Sequence, residues 1–352
     1  MMQPDPSAST WKFPPFLPPR WLRNPHIQTL VSAYKPRRLN YGWSSWQAVE
    51  ISLGREGGIL AEASWQPGSK ADSPALILIH GLEGSARSHY LLGLSKKAFV
   101  RGFHTVRINM RNCGGTEHMS PTLYCAGLSQ DVGFVVEHLR QRLGIEAMYA
   151  VGVSLGGNML LKFLGEQGRA GSACIRAAAV MSAPIDLAAG ASKIDERGNW
   201  IYQRHFVSRL IRRVRRKAAL FPGIADMRRV ERIRTIYEFD DVVTAPHFGY
   251  GRADDYYRLA SAAPMMKDIR VPTLIIQAMD DPMIPFEPFL TSGIETNPAL
   301  RLLSTRYGGH TGFLTARRAQ PADLDCYWAE SRIVDFLSAH AGIDNIGIHP
   351  AP

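Results

Sequence analysis

The sequence is poor in cysteine: there are four in 352 residues, and no two form a C-x-x-C pair. Cys113, Cys125, Cys174 and Cys326 are too scattered for a disulfide frame or a zinc site and read as free buried thiols, so neither a metal nor a cofactor is expected. Long apolar runs are missing too. No stretch approaches the ~18–20 residues of a membrane span, and the most apolar ones, such as residues 75–79, have the length of a strand. Residues 1–19 are rich in Pro and Ser and lack both a basic segment and an apolar core, so they do not read as a secretory signal and the expected compartment is the cytoplasm. Beyond this arm there is no low-complexity segment or internal repeat. With 45% hydrophobic and 20% charged residues, the composition excludes a disordered or fibrous chain. Acidic residues are outnumbered, 31 against 41 basic, which leaves a net charge of +10. Such an excess suits an anionic membrane, nucleic acid or simply a basic surface. No nucleic-acid motif accompanies it, and no nucleic-acid partner is expected.

What is present alternates. β-branched, apolar segments at residues 59–65, 75–80, 104–110, 147–154, 177–182, 273–279 and 300–307 have strand length. Between several of them lie segments of helical period, at 90–99, 128–143, 157–166 and 324–337. This is the pattern of βαβ units around a mostly parallel sheet, and the fold class is α/β. Residues 186–265 break the alternation: they hold no convincing buried strand and look like a helical insert. The expected division is an N-terminal arm at 1–47, a first core part at 48–185, the insert at 186–265 and a second core part at 266–352. Within the insert, residues 209–217 carry six cations in nine positions, while Phe206, Leu210 and Val214 share one helical face. The expectation is a basic amphipathic helix with its apolar face on the body and its arginines in water, where they are available to an anionic lipid surface.

The sharpest motif is Gly152-Val153-Ser154-Leu155-Gly156-Gly157, between an apolar strand and a helix-period segment. This is G-x-S-x-G in the context it requires, a strained strand-to-helix elbow whose flanking glycines leave no Cβ to collide and whose serine hydroxyl is exposed. A serine hydroxyl is a weak nucleophile and needs a histidine base oriented by a carboxylate. The strand at 273–279 ends in Asp280-Asp281-Pro282-Met283-Ile284-Pro285, where the D-x-x-apolar-P spacing favours Asp281 as the acid and leaves Asp280 as the other candidate. His310 follows the last strand within Gly308-Gly309-His310-Thr311-Gly312 and is the expected base. His80 opens His80-Gly81-Leu82-Glu83-Gly84; its ring is expected to brace the loop, while the backbone amides of Leu82 and Leu155 form an oxyanion hole. Leu210 is the expected acyl-contacting residue of the insert.

These blocks, together with Asn24-Pro25-His26-Ile27-Gln28-Thr29, Asn109-Met110-Arg111-Asn112-Cys113-Gly114-Gly115, Asp131, and Glu238-Phe239-Asp240-Asp241 ahead of Asp255-Tyr256-Tyr257, resemble the YheT-like family of α/β-hydrolases over residues 20–340. The resemblance implies an α/β-hydrolase fold with a helical cap, and a serine hydrolase of carboxylic or lipid acyl esters; some relatives transfer acyl groups to alcohols. A small-molecule acyl ester of medium chain length is the expected substrate. The rival readings are an acyltransferase and a non-catalytic binding protein on a hydrolase scaffold. Outside the triad, Arg111 is expected to hold loops together, Glu238 to Asp241 to pair with the insert's arginines, and the block from Asn24 to Thr29 to pack against the core.

Overall fold

The computed structural model describes residues 13–37, 46–168 and 174–343. Parts of the expected arm, residues 1–12 and 38–45, and the last residues of the second core part, 344–352, lie outside this description. Eight strands form one sheet: β1 (Gln47–Ser52), β2 (Gly58–Ser64), β3 (Ala75–Ile79), β4 (His104–Ile108), β5 (Met148–Val153), β6 (Ile175–Met181), β7 (Thr273–Ala278) and β8 (Leu300–Thr305). Their order is β1-β2-β4-β3-β5-β6-β7-β8. β1 and β2 pair antiparallel at one edge, and every pairing from β4 to β8 is parallel.

Central strands such as β3 and β5 are buried along their whole length, which is why they read as continuous apolar runs rather than as alternations. The pleat divides their side chains between two cores. Ile77 and Ile79 join the cluster with α3 (Gln130–Leu143) and α4 (Leu155–Gln167), whereas Leu76 and Leu78 join the one with α2 (His89–Val100) and the C-terminal helix Trp328–His340. β1 went unrecognised in the sequence because it is an edge strand with Ile51 as its one buried residue. The arm also holds α1 (Pro25–Tyr34), capped by the Asn24 side chain, which accepts from the His26 and Ile27 amides, and begun by a proline at its first position.

Between Met181 and Thr273 the chain forms α5 (Leu187–Asp195), α6 (Trp200–Leu220), single helical turns at Met227–Val230 and Ile236–Phe239, a π-helical turn at Asp240–Thr244 and α7 (Ala253–Ala260). α6 corrects the picture of a solvated cationic face. Arg213 and Lys217 are buried on the side that carries Leu210 and Val214, and Leu220 is exposed. Each buried cation has partners on the core: Arg213 binds Glu83 and the Asn112 carbonyl, and Lys217 donates to the carbonyls of Glu117 and Ser120. Burial pushes the Lys217 ammonium down to about 8. Among the described residues no helix is long and apolar enough to cross a membrane. The four cysteines are free, Cys113 and Cys125 buried, Cys174 and Cys326 half-buried.

Candidate active site

Ser154, Asp281 and His310 each follow the carboxyl end of a parallel strand, β5, β7 and β8, which is the edge where α/β sheets present ligands. Ser154 caps α4 with φ 53° and ψ −125°, a conformation costly for any residue with a side chain. The glycines around it are steric necessities. A Cβ on Gly152 would sit 2.4 Å from the Gly156 carbonyl oxygen, one on Gly156 would sit 2.4 Å from the His80 carbonyl oxygen, and one on Gly157 would sit 2.7 Å from the Ala183 Cβ.

The three side chains meet in series. His310 Nε2 lies 3.0 Å from Ser154 Oγ, and Nδ1 lies 2.9 Å from Asp281 Oδ2. An ionised carboxylate only accepts, so the ring proton sits on Nδ1 and Nε2 is left to accept from the serine hydroxyl. Asp281 is buried and held by its own turn, its Oδ1 accepting from the amides of Met283 and Ile284 at 2.9 and 3.1 Å. Asp280 points elsewhere and takes the Gly309 amide at 3.0 Å. Burial, with the adjacent Asp281 charge adding to it, raises the Asp280 carboxyl to about 6, and its Oδ2 is buried without a partner.

The histidine loop is pinned from three sides: the Gly309 amide by Asp280, the Thr311 amide by Ser182 Oγ at 3.0 Å, and the His310 amide by Thr29 Oγ1 at 2.9 Å. The last contact gives the Asn24–Thr29 block a more specific place than packing. Thr29 and its neighbour Gln28, which binds both the amide and the carbonyl of Leu314, clamp the segment carrying His310 from both ends. No local signal marks this, because the partners are 281 and 286 residues apart.

Leu82 and Leu155, on two different elements, border the same cavity as Ser154. Leu155 is the first residue of α4, where the N–H groups have no intrahelical acceptor and the dipole favours negative charge. Neither the Leu82 nor the Leu155 amide donates to any group among the described residues. The loop carrying Leu82 is fixed by His80, whose Nδ1–H donates to the Gly81 carbonyl at 2.7 Å while Nε2 accepts from the Met110 amide at 3.1 Å. Complete burial pushes this imidazole down to about 4, so it stays neutral as a brace. Glu83, next in the chain, adopts φ 57° and is buried. Its carboxylate takes two bonds from Arg213, 2.6 and 3.0 Å, and one from the Tyr124 hydroxyl at 2.9 Å. Arg111 is likewise a loop anchor, forked onto Asp131 at 2.8 and 2.5 Å.

Two spaces meet at Ser154. The inner one, about 780 Å³ out to its mouth, is walled by apolar groups of the insert and core, among them Leu187, Ile194, Phe206, Leu210 and Phe239, and is bordered by Ser154 and His310. The outer groove shares Ser154, Leu82 and His310 and has a mixed lining, apolar groups such as Leu30 and Ile201 beside polar and cationic ones such as Ser85, Arg87 and Arg209. Among the described residues the expected pairing of Glu238 to Asp241 with arginines holds only at Asp241, whose side chain lies 3.8 Å from Arg252. Glu238 closes a capping box with Thr235, and Asp240 borders the inner cavity.

The chain matches the family described as alpha/beta hydrolase fold over residues 74–314. It is 33% identical over 329 residues to the Escherichia coli protein YheT, whose name describes it as an esterase, covering 92% of this chain and 93% of that one. Over 252 residues it is 31% identical to a monoacylglycerol lipase of Saccharomyces cerevisiae, covering 69% of this chain and 56% of the other. An esterase of Pyrococcus furiosus superposes with a TM-score of 0.54 at 15% identity, over 87% of this chain and 99% of that structure, a likeness of fold alone.

Proposed function

The chain belongs to the YheT-like family of α/β-hydrolases, and from that premise we propose that it is a serine hydrolase of medium-chain or lipid-like acyl esters working through Ser154, His310 and Asp281. It is a carboxylic-ester hydrolase. The observation that carries the proposed mechanism is the unbroken series from Asp281 Oδ2 through the His310 ring to Ser154 Oγ, opening onto an apolar cavity.

In this mechanism Ser154 Oγ attacks the acyl carbonyl while His310 Nε2 takes the hydroxyl proton. Asp281 holds the ring in the Nδ1–H tautomer and stabilises the imidazolium that forms. The Leu82 and Leu155 amides receive the oxyanion, whose charge develops where the α4 dipole favours it. His310 then returns the proton to the departing alcohol, which leaves by the outer groove. Water enters by the same route and, deprotonated by His310, cleaves the acyl-enzyme. The acyl chain lies in the inner cavity with Leu210 against it. In this reading residues 186–265 act as a cap on a core formed by 48–185 and 266–352, with Gln28 and Thr29 of the arm bracing the histidine loop. We place the protein in the cytoplasm. Contact with an anionic membrane would fall to exposed arginines of α6 such as Arg212 and Arg215.

The test is a p-nitrophenyl ester series of increasing acyl length with the wild type and Ser154→Ala. The expected result is an optimum between about four and ten carbons in the wild type and no turnover in the variant. Equal turnover by the two proteins would refute the assignment.

A further inference from the structure

Asp240 is a carboxyl group on the wall of an otherwise largely apolar cavity. It opens the π-helical turn Asp240–Thr244, closed by the Ala245 amide donating to the Asp240 carbonyl. Such turns are local departures from regular helix that recur at functional positions. Its side chain has two partners, both hydroxyls: Thr244 Oγ1–H donates to Oδ1 at 2.6 Å and the Tyr257 hydroxyl donates to Oδ2 at 2.8 Å. No cation among the described residues reaches it within ion-pair distance. A carboxylate offers about four acceptor sites, so capacity remains on a group that borders the cavity. Burial raises this carboxyl to about 6, outweighing the Thr244 and Tyr257 hydrogen bonds that favour its charged form.

A second polar group borders the same cavity. The Tyr256 hydroxyl accepts from the Ala126 amide at 3.0 Å, and its own proton has no acceptor among the described residues. The Tyr256 ring lies 5.4 Å from that of Tyr257, the residue bonded to Asp240. An acceptor and a donor thus line one cavity, in a wall where apolar residues would fill the space at lower cost.

We propose that Asp240 and Tyr256 form a hydroxyl-binding subsite within the acyl pocket, and that the preferred acyl groups carry a hydroxyl along the chain. The inference rests on the inner cavity being the acyl site. The ligand hydroxyl donates to the Asp240 carboxylate and accepts from the Tyr256 O–H. An ammonium group fits less well, because stripping its water in an apolar pocket costs more than stripping that of a hydroxyl, and the carboxyl's existing partners are neutral.

The experiment compares kcat/KM for p-nitrophenyl esters of one chain length, either unsubstituted, hydroxylated at successive carbons, or carrying a terminal amine. It uses the wild type, Asp240→Asn, Asp240→Leu and Tyr256→Phe, with the fold of each variant checked by thermal unfolding. The wild type is expected to prefer at least one hydroxylated ester over its plain counterpart by about tenfold. Asp240→Leu should reverse that preference, and Asp240→Asn and Tyr256→Phe should reduce it several-fold. If Asp240→Leu does not fold, the nearly isosteric Asp240→Asn and Tyr256→Phe carry the test alone. A plain-to-hydroxylated ratio identical in the wild type and the variants would make Asp240 a structural tether of the insert. Preference for the amino ester would make the subsite cationic in its choice and overturn the hydroxyl assignment. Loss of the underlying reading looks different: no ester of any kind would be turned over by the wild type, and the protein would not react with a fluorophosphonate.

Discussion

Arg213, in the middle of α6, forks onto the carboxylate of Glu83 on the loop that carries Leu82, 130 residues earlier in the chain, at 2.6 and 3.0 Å. Both residues are buried, and Arg209 adds a bond to the Glu83 carbonyl at 2.8 Å. α6 therefore lines the cavity beside Ser154 and also holds the loop from which an oxyanion donor would come. Truncating one partner of a buried pair costs about 3–5 kcal/mol, because the other charge is left uncompensated. Arg213→Ala should lower the melting temperature. It should also lower kcat on short esters by at least about tenfold with little change in KM, since it acts on a donor that matters in the transition state. Lysine at this position cannot reproduce the fork and should rescue poorly. Unaltered kcat in a folded, destabilised Arg213→Ala would reduce the pair to a structural strut.

The two adjacent aspartates should separate cleanly. Asp281→Asn is expected to lose on the order of 10³–10⁴ in kcat with the fold intact, because the amide favours the wrong histidine tautomer. Asp280→Asn keeps an acceptor for the Gly309 amide and should cost little activity. Steady-state kinetics on one soluble ester decide it, and the reverse ranking would move the acid role to Asp280.

Asp280 also predicts a pH dependence of stability. Its folded-state carboxyl lies at about 6, above the ordinary value, so the folded protein binds more protons than the unfolded chain between about pH 4 and pH 6. Stability from this group is present in acid and is lost as pH rises through that window. Asp280→Asn removes the loss, so its melting temperature relative to wild type should rise from about pH 4 to about pH 7 and then level off. A difference independent of pH would contradict this.

Leu210 is buried and borders the inner cavity. Replacing it with Trp should shorten the preferred acyl chain and spare the shortest esters, because a packed wall cannot absorb the added volume without strain. An unaltered chain-length profile would remove Leu210 from the acyl site.

The elbow could be read from sequence because sterics dictate it: only glycine fits at positions 152, 156 and 157, so the motif carries its own geometry. The parallel strands were equally readable, since burial on both faces makes them plain apolar runs. The D-x-x-apolar-P spacing favours Asp281 over Asp280, and in the structure Asp281 Oδ2 lies against His310 while its Oδ1 takes the Met283 and Ile284 amides. The rest depends on contacts between distant segments. Thr29 becomes a clamp only because the fold brings α1 against the histidine loop. Arg213 and Lys217 sit in a run of six cations that read as a solvated stripe, and nothing local distinguishes the two that face inward from their exposed neighbours. Asp240 was hidden in the same way, within an acidic block whose members have separate partners.

The proposed nucleophile is Ser154, activated through His310. The most direct measurement is intact-mass and peptide-mapping analysis after reaction with a fluorophosphonate, run on the wild type, Ser154→Ala and His310→Ala. The expected result is a single adduct on the peptide containing Ser154 in the wild type, none in Ser154→Ala, and labelling slowed by orders of magnitude in His310→Ala. An adduct that persists in Ser154→Ala, or one that maps to another residue, would contradict it.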